Sequence, residues 1–347
     1  MRLSRHGLLK MTVAATLVVV VVGAAASACG SSNSGAGGDQ SITVYNAQHE
    51  DLTQAEADAF TAQTGIKVTM RNGDDSEQSN QLVQEGSASP ADVFLTENSP
   101  GIGLVASKGL LAPIDQATRD QVPAQYSPAD GSWVGWAARS TVLAYNTSKL
   151  TPAQLPASIM DLAQPQWKGK IGISPSGADF QAIVSAVVQL KGEDATLTWL
   201  KGLKSNAKIY QGNTSVMKAV NSGEIEAGVI YHYYWFKDQA ESGANSNNVK
   251  LKYFGNQDPG AFVSVSGAGV LKSSKHQEAA QKFVAFLTSK KGQQVLSDSK
   301  AMEYSIASDV PANAKLSPLS TLDPPKVDVS ALNGPRVVAL MQQSGLI

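Results

Sequence analysis

Residues 41–70 read SITVYNAQHEDLTQAEADAFTAQTGIKVTM, and this stretch decides the fold. Residues 42–45 are mostly β-branched or aromatic and predict a strand. Residues 53–64 predict a helix, which ends at Gly65, a residue that commonly terminates helices. Residues 66–70 predict a second strand. A strand, a helix and another strand in this order indicate a parallel sheet covered by helices, and therefore an α/β protein.

The predicted start of the first helix rests on two side chains. Thr53 can accept a hydrogen bond from the backbone at the third helical position, and Glu56 at that position can bond back to Thr53. This pattern is a capping box, and it predicts that the helix begins at Thr53.

The same alternation continues along the chain. Each segment has the periodicity of a helix or the β-rich composition of a strand. Further helices are predicted at about 77–85, 178–191, 216–222 and 276–289, and further strands at 91–95, 170–173, 226–231 and 262–271.

Charge excludes one class of partner. The 347 residues carry 28 Lys and Arg against 29 Asp and Glu, which gives a formal net charge of −1. After residue 10, the pair Lys290-Lys291 is the longest run of basic residues. Nucleic-acid binding proteins need a basic surface, so we expect no nucleic-acid partner.

The first 40 residues predict export. A basic start is followed by the apolar segment 11–26, and residues 1–28 are therefore predicted to be a signal peptide. Cys29 is the only cysteine, and the small residues before it resemble a bacterial lipobox, which implies that Cys29 is lipidated. Ordinary cleavage near Ala28 is the alternative. Residues 29–40 are rich in Gly and Ser and predict a flexible linker.

A cluster of polar aromatic residues occupies positions 231–235, which read YHYYW after the apolar run at 227–230. Buried phenol oxygens need hydrogen-bond partners. Once deprotonated, they are hard anionic ligands that suit a highly charged cation such as ferric iron. A half-buried strand edge is the plainer explanation of the cluster.

Other polar residues follow strands in the same way. His49 comes after the first predicted strand and Glu97 after the third, while Tyr231 to Tyr234 come after a later one. Ligands of open α/β sheets bind beyond the carboxyl ends of strands. Taken singly, His49 fits a surface histidine, and Glu97 fits an acid near a helix start. The pair Asp74-Asp75, together with Glu77, is expected to form a solvated loop.

Eight segments in order resemble the ferric-ion-binding proteins of bacterial ABC importers, over nearly all of residues 41–300. Each motif is modest, and their ordered set is specific. They are YNAQH (45–49), TGIKV (64–68), ADVFLTE (91–97), WKGKIG (167–172), WLKGL (199–203), YYW (233–235), QDPGA (257–261) and SKKGQ (289–293).

The resemblance implies a two-lobed type II periplasmic-binding-protein fold. In such a fold each lobe is a mixed, mostly parallel sheet flanked by helices, and the ligand cleft lies between the lobes. By analogy, residues 41–139 and 264–315 form the N-terminal lobe. Residues 140–263 and 316–347 form the C-terminal lobe.

The resemblance also implies a set of metal ligands. His49, Glu97, Tyr233 and Tyr234 stand at the positions that hold Fe³⁺ in that family. Two phenolates and one carboxylate cancel the charge of the ion, and imidazole adds a neutral donor. Each phenol must lose a proton, so iron binding is expected to release protons and to weaken in acid.

Family members complete the iron site with a small anion, and phosphate or carbonate is expected here. An oxyanion would be attracted to exposed N–H groups at a helix start. Tyr231 and His232 depart from the family, because phosphate-using relatives have two asparagines there. Tyr231 is predicted to contact the anion or, alternatively, to be a third phenol ligand. The residues assigned to the anion are Ser176, Gly177, Ala178, Asn213, Asn98, Arg139 and Tyr231.

These expectations define a function. The chain is predicted to be a monomeric solute-binding lipoprotein, not an enzyme, on the outer face of the cytoplasmic membrane, that delivers Fe³⁺ to the permease and ATPase subunits of an ABC importer. One alternative is a protein of the same fold that binds thiamine, a polyamine or an oxyanion. Another is a metal-dependent hydrolase, but neither a Gly-x-Ser-x-Gly nor a His-Glu-x-x-His motif occurs.

Overall fold

The computed structural model describes residues 41–307 and 309–347. The predicted signal peptide, the lipidated Cys29 and the linker fall on residues 1–40, which lie outside this part of the chain. Among the described residues, no helix combines the length and the apolar character that crossing a membrane requires.

Helices and strands alternate through most of the described chain. The strands are β1 (Ser41–Asn46), β2 (Lys67–Asn72), β3 (Val93–Leu95), β4 (Leu111–Ala112), β5 (Val134–Asn146), β6 (Ile171–Ile173), β7 (Ala207–Ile209), β8 (Ala227–Tyr231), β9 (Val249–Lys252), β10 (Val263–Leu271) and β11 (Tyr304–Ser305). The helices are α1 (Glu50–Thr64), α2 (Asp75–Glu85), α3 (Ser99–Ser107), α4 (Gln116–Arg119), α5 (Ala178–Lys191), α6 (Glu193–Asn206), α7 (Asn213–Ser222), α8 (His232–Glu241), α9 (Gln277–Thr288), α10 (Lys290–Asp298) and α11 (Gly334–Gln343).

The strands form one mixed sheet in the order β2-β1-β3-β10-β5-β8-β6-β7. Off this order, β4 pairs with the central strand β10, and β9 and β11 pair with β5. Parallel pairs lie in its outer parts, where β1 pairs with β2 and β3, and β6 with β7 and β8. The central pairs are antiparallel. The sheet is therefore parallel in its outer parts, where helices connect successive strands. It is antiparallel in its centre, among β3, β10, β5 and β8.

Strand β5 joins the two ends of this sheet. Its residues 134–140 pair with β10 and β11, and its residues 141–146 pair with β8 and β9. We call β1 to β4, β10, β11 and residues 134–140 the first sheet region. The second sheet region comprises β6 to β9 and residues 141–146.

The first helix begins earlier than its sequence predicts. Helix α1 starts at Glu50, with His49 in the N-cap position, so the predicted cap at Thr53 is wrong. Thr53 is buried inside the helix, and its hydroxyl donates to the carbonyl of His49. Glu50 and Asp51 occupy the first turn, where the helix dipole favours acidic side chains. The predicted end is confirmed, because Gly65 has a φ of 75°.

The strand ends bring the candidate site together. Strands β1 and β3 are parallel neighbours, so their carboxyl ends lie on one edge of the sheet. His49 follows β1 and Glu97 follows β3 at that edge. In the second sheet region, β8 ends at Tyr231 and α8 begins at the next residue. The four residues after Tyr231 therefore form the first turn of a helix and not a strand edge.

Close packing behind β8 leads to a prediction. A methyl group at Gly228 would lie 2.3 Å from Val216 Cγ1, and Val216 is buried in α7 and stiff because it is β-branched. We expect Gly228→Ala to lower the free energy of unfolding by about 1–3 kcal/mol, as measured by urea unfolding followed by tryptophan fluorescence.

Gly103→Ala is the matched control. Gly103 lies within α3, and its added methyl group would meet the Leu332 carbonyl at an ordinary 3.6 Å. Alanine also favours a helix over glycine, so this variant should keep or gain stability. Equal losses in the two variants would contradict the packing argument.

Candidate metal site

Two stacked tyrosines form the centre of the site. Tyr233 and Tyr234 lie in the first turn of α8, with ring centroids 4.2 Å apart. Tyr233 is buried, and its hydroxyl donates to Glu97 Oε1 at 2.7 Å. This contact joins the second sheet region to the end of β3 in the first.

His49 completes the predicted group of four. Its ring meets Tyr233 edge to face, with a centroid distance of 4.9 Å. His49 Nε2 lies 3.6 Å from Glu97 Oε1 and has no hydrogen-bond partner. The structure thus brings His49, Glu97, Tyr233 and Tyr234 together, although they come from three distant parts of the chain.

Asp179 is the first residue that the sequence predictions missed. It is buried in the first turn of α5. Its Oδ2 atom accepts a hydrogen bond from Tyr234 Oη at 3.1 Å and from Asn213 Nδ2 at 2.7 Å, and it also lies 3.4 Å from Tyr233 Oη. Asp179 directly follows the loop assigned to an anion, and its place in that first turn was the available signal.

The residues assigned to an anion fall into two groups. Ser176, Gly177 and Ala178 lie at the start of α5. Asn98 and Asn213 also reach this place, but both donate side-chain hydrogen bonds to Asp179. These two amides, which were expected to bind an external anion, therefore donate to the carboxylate of Asp179.

Tyr231 and Arg139 make their hydrogen bonds to groups other than the phenol oxygens of the tyrosine pair. The Tyr231 hydroxyl is 3.3 Å from both Asn98 Oδ1 and the Asp179 carbonyl. Arg139 is buried and donates to Glu303 Oε2 and Ser266 Oγ, both at 2.6 Å. The structure places neither Tyr231 nor Arg139 in the hydrogen-bonded chain that joins Glu97, the tyrosine pair and Asp179 Oδ2.

His232 faces away from these groups. Its Nδ1 accepts a hydrogen bond from the backbone N–H of Ser140, and its ring stacks on Tyr304 at 4.7 Å. Burial lowers the pKa of His232 to about 3, so the ring is neutral. His232 therefore packs α8 against β5 and β11.

Asp75 holds the Glu97 segment in place, and the expectation of a solvated loop at this residue is wrong. Its carboxylate accepts from the backbone N–H groups of Glu97 and Asn98, both at 2.9 Å, and from Asn98 Nδ2. Asp74 is the N-cap of α2, and the neighbouring Asp75 is the first residue of that helix and is buried. The sequence does not distinguish the buried Asp75 from the exposed Asp74, because the two residues are adjacent in the same polar run.

Burial sets the protonation of the site. It raises the pKa values of Tyr233 and Tyr234 well above that of a free phenol, and the charge of Asp179 adds to this effect. Burial also raises the pKa of Asp179 to about 6, and lowers the pKa of His49. Neutral imidazole has a free electron pair for a metal, whereas the two phenols need a strong Lewis acid to lose their protons.

Another buried carboxylate, that of Glu303, lies next to His49. Glu303 Oε1 is 3.4 Å from His49 Nε2, and Glu303 Oε2 pairs with Arg139. Burial raises the pKa of Glu303, and the charge of Arg139 opposes that shift. Glu303 lies just before β11, outside all eight segments that resemble the ferric-ion-binding proteins.

The site opens into a cavity of about 500 Å³ between the two sheet regions. Its lining includes Glu50, Asp74, Asp75, Glu97 and Asp179, and none of the described residues that line it is Lys or Arg. In the described chain, no three His, Cys, Asp or Glu side chains form a metal cage by themselves. The side chains gathered here, the tyrosine pair included, offer mostly oxygen donors, and oxygen donors suit a hard cation.

Comparisons with known proteins agree with this chemistry. The model of the family described as bacterial extracellular solute-binding protein matches residues 88–326. The Fe(3+)-binding periplasmic protein of Serratia marcescens is 60% identical over 312 residues, which cover 90% of this chain and 92% of that protein. The major ferric iron-binding protein of Neisseria meningitidis is 40% identical over 308 residues, covering 88% of this chain and 93% of that protein.

Solved structures agree as well. Iron-bound HitA from Pseudomonas aeruginosa aligns with a TM-score of 0.83 and 43% identity, and covers 88% of this chain and 99% of its own. A Trichodesmium protein in complex with iron and citrate aligns with a TM-score of 0.78 and 30% identity over the same shares of the two chains.

The role of Asp75 is testable. In Asp75→Ala, the backbone N–H groups of Glu97 and Asn98 lose their buried acceptor, so the free energy of unfolding should fall by about 2–4 kcal/mol. Asp74→Ala is the neighbouring control, because it removes one exposed capping bond to Glu77 and should cost about 1 kcal/mol. Urea unfolding of both variants measures the difference, and equal losses would argue against a buried anchor at Asp75.

Proposed function

We propose that this chain, which belongs to the bacterial extracellular solute-binding protein family, captures ferric iron between its two sheet regions. The observation that carries the proposal is the continuous contact of Glu97, Tyr233, Tyr234 and Asp179 through their side-chain oxygens. These contacts are 2.7 to 3.4 Å long, which is close to the spacing of donors around one ion. The iron-binding relatives support the same ligand.

His49, Glu97, Tyr233 and Tyr234 are the proposed ligands, as the sequence resemblance implied. Two phenolates and the Glu97 carboxylate balance the three charges of Fe³⁺, and His49 adds its neutral Nε2. A divalent ion is a weaker Lewis acid and would displace the two phenol protons less readily. Selection of a trivalent ion therefore follows from burying two protonated phenols at the site.

Asp179 is the proposed fifth donor. Its Oδ2 lies against both phenol oxygens, and its remaining contacts come from the amides of Asn98 and Asn213. An amide that donates to a ligating carboxylate fixes its orientation. We infer that this carboxylate takes the position for which phosphate or carbonate was predicted, while an anion at the mouth of the cavity, near Ser176 to Ala178, stays a prediction.

The donors divide between the two sheet regions, and this supports a hinged mechanism. We propose that residues 41–139 with 264–315 form one lobe, and that 140–263 with 316–347 form the other. Iron would then hold the lobes together, because His49 and Glu97 belong to the first and the tyrosine pair to the second. A ligand that contacts both lobes favours the closed state.

The family is extracytoplasmic and binds solutes, and its members deliver them to ABC importers. For this chain we propose an anchor at a lipidated Cys29, on the outer face of the cytoplasmic membrane. The partner would be the permease and ATPase pair of an iron importer, which would recognise the iron-loaded monomer. Capture and release need no catalytic turnover, so no reaction is assigned to the site.

The tyrosine pair provides the first test. Ferric phenolate absorbs visible light, so the protein should become coloured on titration with ferric nitrilotriacetate. Tyr233→Phe with Tyr234→Phe should remove both the colour and the binding, because no phenolate remains. Tyr210→Phe is the control, since that hydroxyl bonds Glu224 at a separate surface. Unchanged ferric affinity in the double variant would refute the assignment.

The second test separates Asp179 from an external anion. Wild-type protein should bind iron equally well with and without added phosphate. Asp179→Asn removes the charge and keeps the shape, so ferric affinity should fall by about tenfold or more, and phosphate should restore part of the loss. Ferric affinity is measured by competition with citrate. A wild-type protein that binds iron only when phosphate is present would contradict the role given to Asp179.

A further inference from the structure

Glu303 has a buried oxygen without a partner. The side chain is 0% exposed, and its Oε2 is held by Arg139 Nη2 at 2.6 Å and by Gln48 Nε2 at 3.4 Å. Its Oε1 accepts no hydrogen bond and lies 3.4 Å from His49 Nε2, which also lacks one. An unsatisfied buried carboxylate oxygen destabilises a fold, and this one lies against an unpartnered nitrogen of a proposed metal ligand.

The backbone before Glu303 is strained. Met302 has a φ of 56°, which L side chains other than Asn and Asp rarely adopt, and it is buried. Strained residues collect at sites where the surrounding structure holds a group in a required place. This observation concerns the main chain and is independent of the contacts that the Glu303 carboxylate makes.

The neighbours of Glu303 also support His49. Gln48 donates to Glu303 Oε2 through Nε2, and its own Oε1 accepts from the backbone N–H of His49. Ser266 accepts from both Gln48 and Arg139. One buried network therefore fixes the orientation of Glu303 and of the segment that carries His49, as outer partners of metal ligands commonly do.

Given the proposed function, we propose that Glu303 is a further ferric ligand, with Oε1 as the sixth donor. An octahedral ion has six donors, and His49, Glu97, Asp179 and the tyrosine pair supply five. Neighbouring donors of an octahedral ion with bonds of about 2.1 Å lie about 3 Å apart. The 3.4 Å between Glu303 Oε1 and His49 Nε2 needs only a small contraction.

This assignment gives each sheet region three donors. Glu303 immediately precedes β11 and so joins His49 and Glu97 on the first region, opposite Asp179, Tyr233 and Tyr234 on the second. Arg139 is then a positioning residue, because it holds the oxygen of Glu303 that does not face His49 and offsets one negative charge. The result is a site that needs neither water nor an external anion as a ligand.

The test compares Glu303→Gln with wild-type protein. Both are loaded with ferric nitrilotriacetate, and ferric affinity is measured by citrate competition, alongside the visible band and the electron paramagnetic resonance spectrum of high-spin Fe³⁺. The variant should stay coloured, because both phenolates remain. Its affinity should fall by about tenfold to 100-fold, and its resonance spectrum should change because the symmetry around the ion changes.

Glu56→Gln is the matched control. Glu56 is also a fully buried glutamate, and neither of its oxygens has a hydrogen-bond partner. This variant makes the same chemical change without removing an atom that faces His49, so its affinity and spectrum should equal those of the wild type. If Glu303→Gln does not fold, Glu303→Asp retains the carboxylate, and the displaced oxygen should still alter the resonance spectrum.

The outcomes distinguish this inference from the proposed function. A wild-type protein that stays colourless with ferric nitrilotriacetate would overturn the proposed function. A coloured wild type, together with Glu303 variants of unaltered spectrum, would overturn only the ligand role of Glu303. The ligand role is overturned in that case even if ferric affinity falls, because a loss without spectral change means that Glu303 only positions His49.

Discussion

Mutual repulsion of four acidic groups, of which three are buried and Glu97 is half-buried, is the constraint on which this structure depends. Glu97, Asp75, Asp179 and Glu303 lie close enough for Glu97 to raise the pKa of each of the other three. Buried carboxylates cost stability unless hydrogen bonds or opposite charges compensate them. The surrounding elements supply this compensation in part, through the amides of Asn98 and Asn213 and the guanidinium of Arg139.

This compensation is partial, and the negative charge that remains on the carboxylates is available to a bound cation. Asp75 accepts hydrogen bonds from two backbone N–H groups and one amide, and Asp179 accepts them from two amides and the tyrosine pair. Glu97 receives one phenol hydrogen bond, and one oxygen of Glu303 receives none. A trivalent ion would replace the phenol protons and relieve the repulsion at once. Under the proposed function, the site is preorganised for a metal at the expense of stability without one.

The sequence predicted the parts of this arrangement that follow strands. His49 and Glu97 lie beyond β1 and β3 because parallel strands end on one edge, and a rule about strand ends is visible in sequence. Tyr233 and Tyr234 were found through an unusual run of aromatics. The N-cap of α1 was misplaced by four residues, at Thr53 and not at His49, because the local capping pattern at Thr53 lies inside the helix.

The missed residues have a common physical reason. Asp179 resembles any acid in a first helical turn, and Asp75 resembles its exposed neighbour Asp74. Glu303 follows a strained residue in a connection without regular structure. In each case, tertiary burial alone separates the carboxylate from a solvated one. Sequence patterns report the periodicity of an element, but they do not report which of its polar residues another element will cover.

The division of donors between two sheet regions explains why burial matters so much. Glu97 and Tyr233 touch only when the segments after β3 and β8 meet, and Asn98 reaches Asp179 in the same way. In the proposed site, each region alone supplies only part of the donors, and its oxygens would be hydrated. When the regions meet, they exclude water and strengthen every interaction with the ion. In the proposed mechanism, tight binding and closure of the cleft are two consequences of one event, so an importer that opens the cleft would also release the iron.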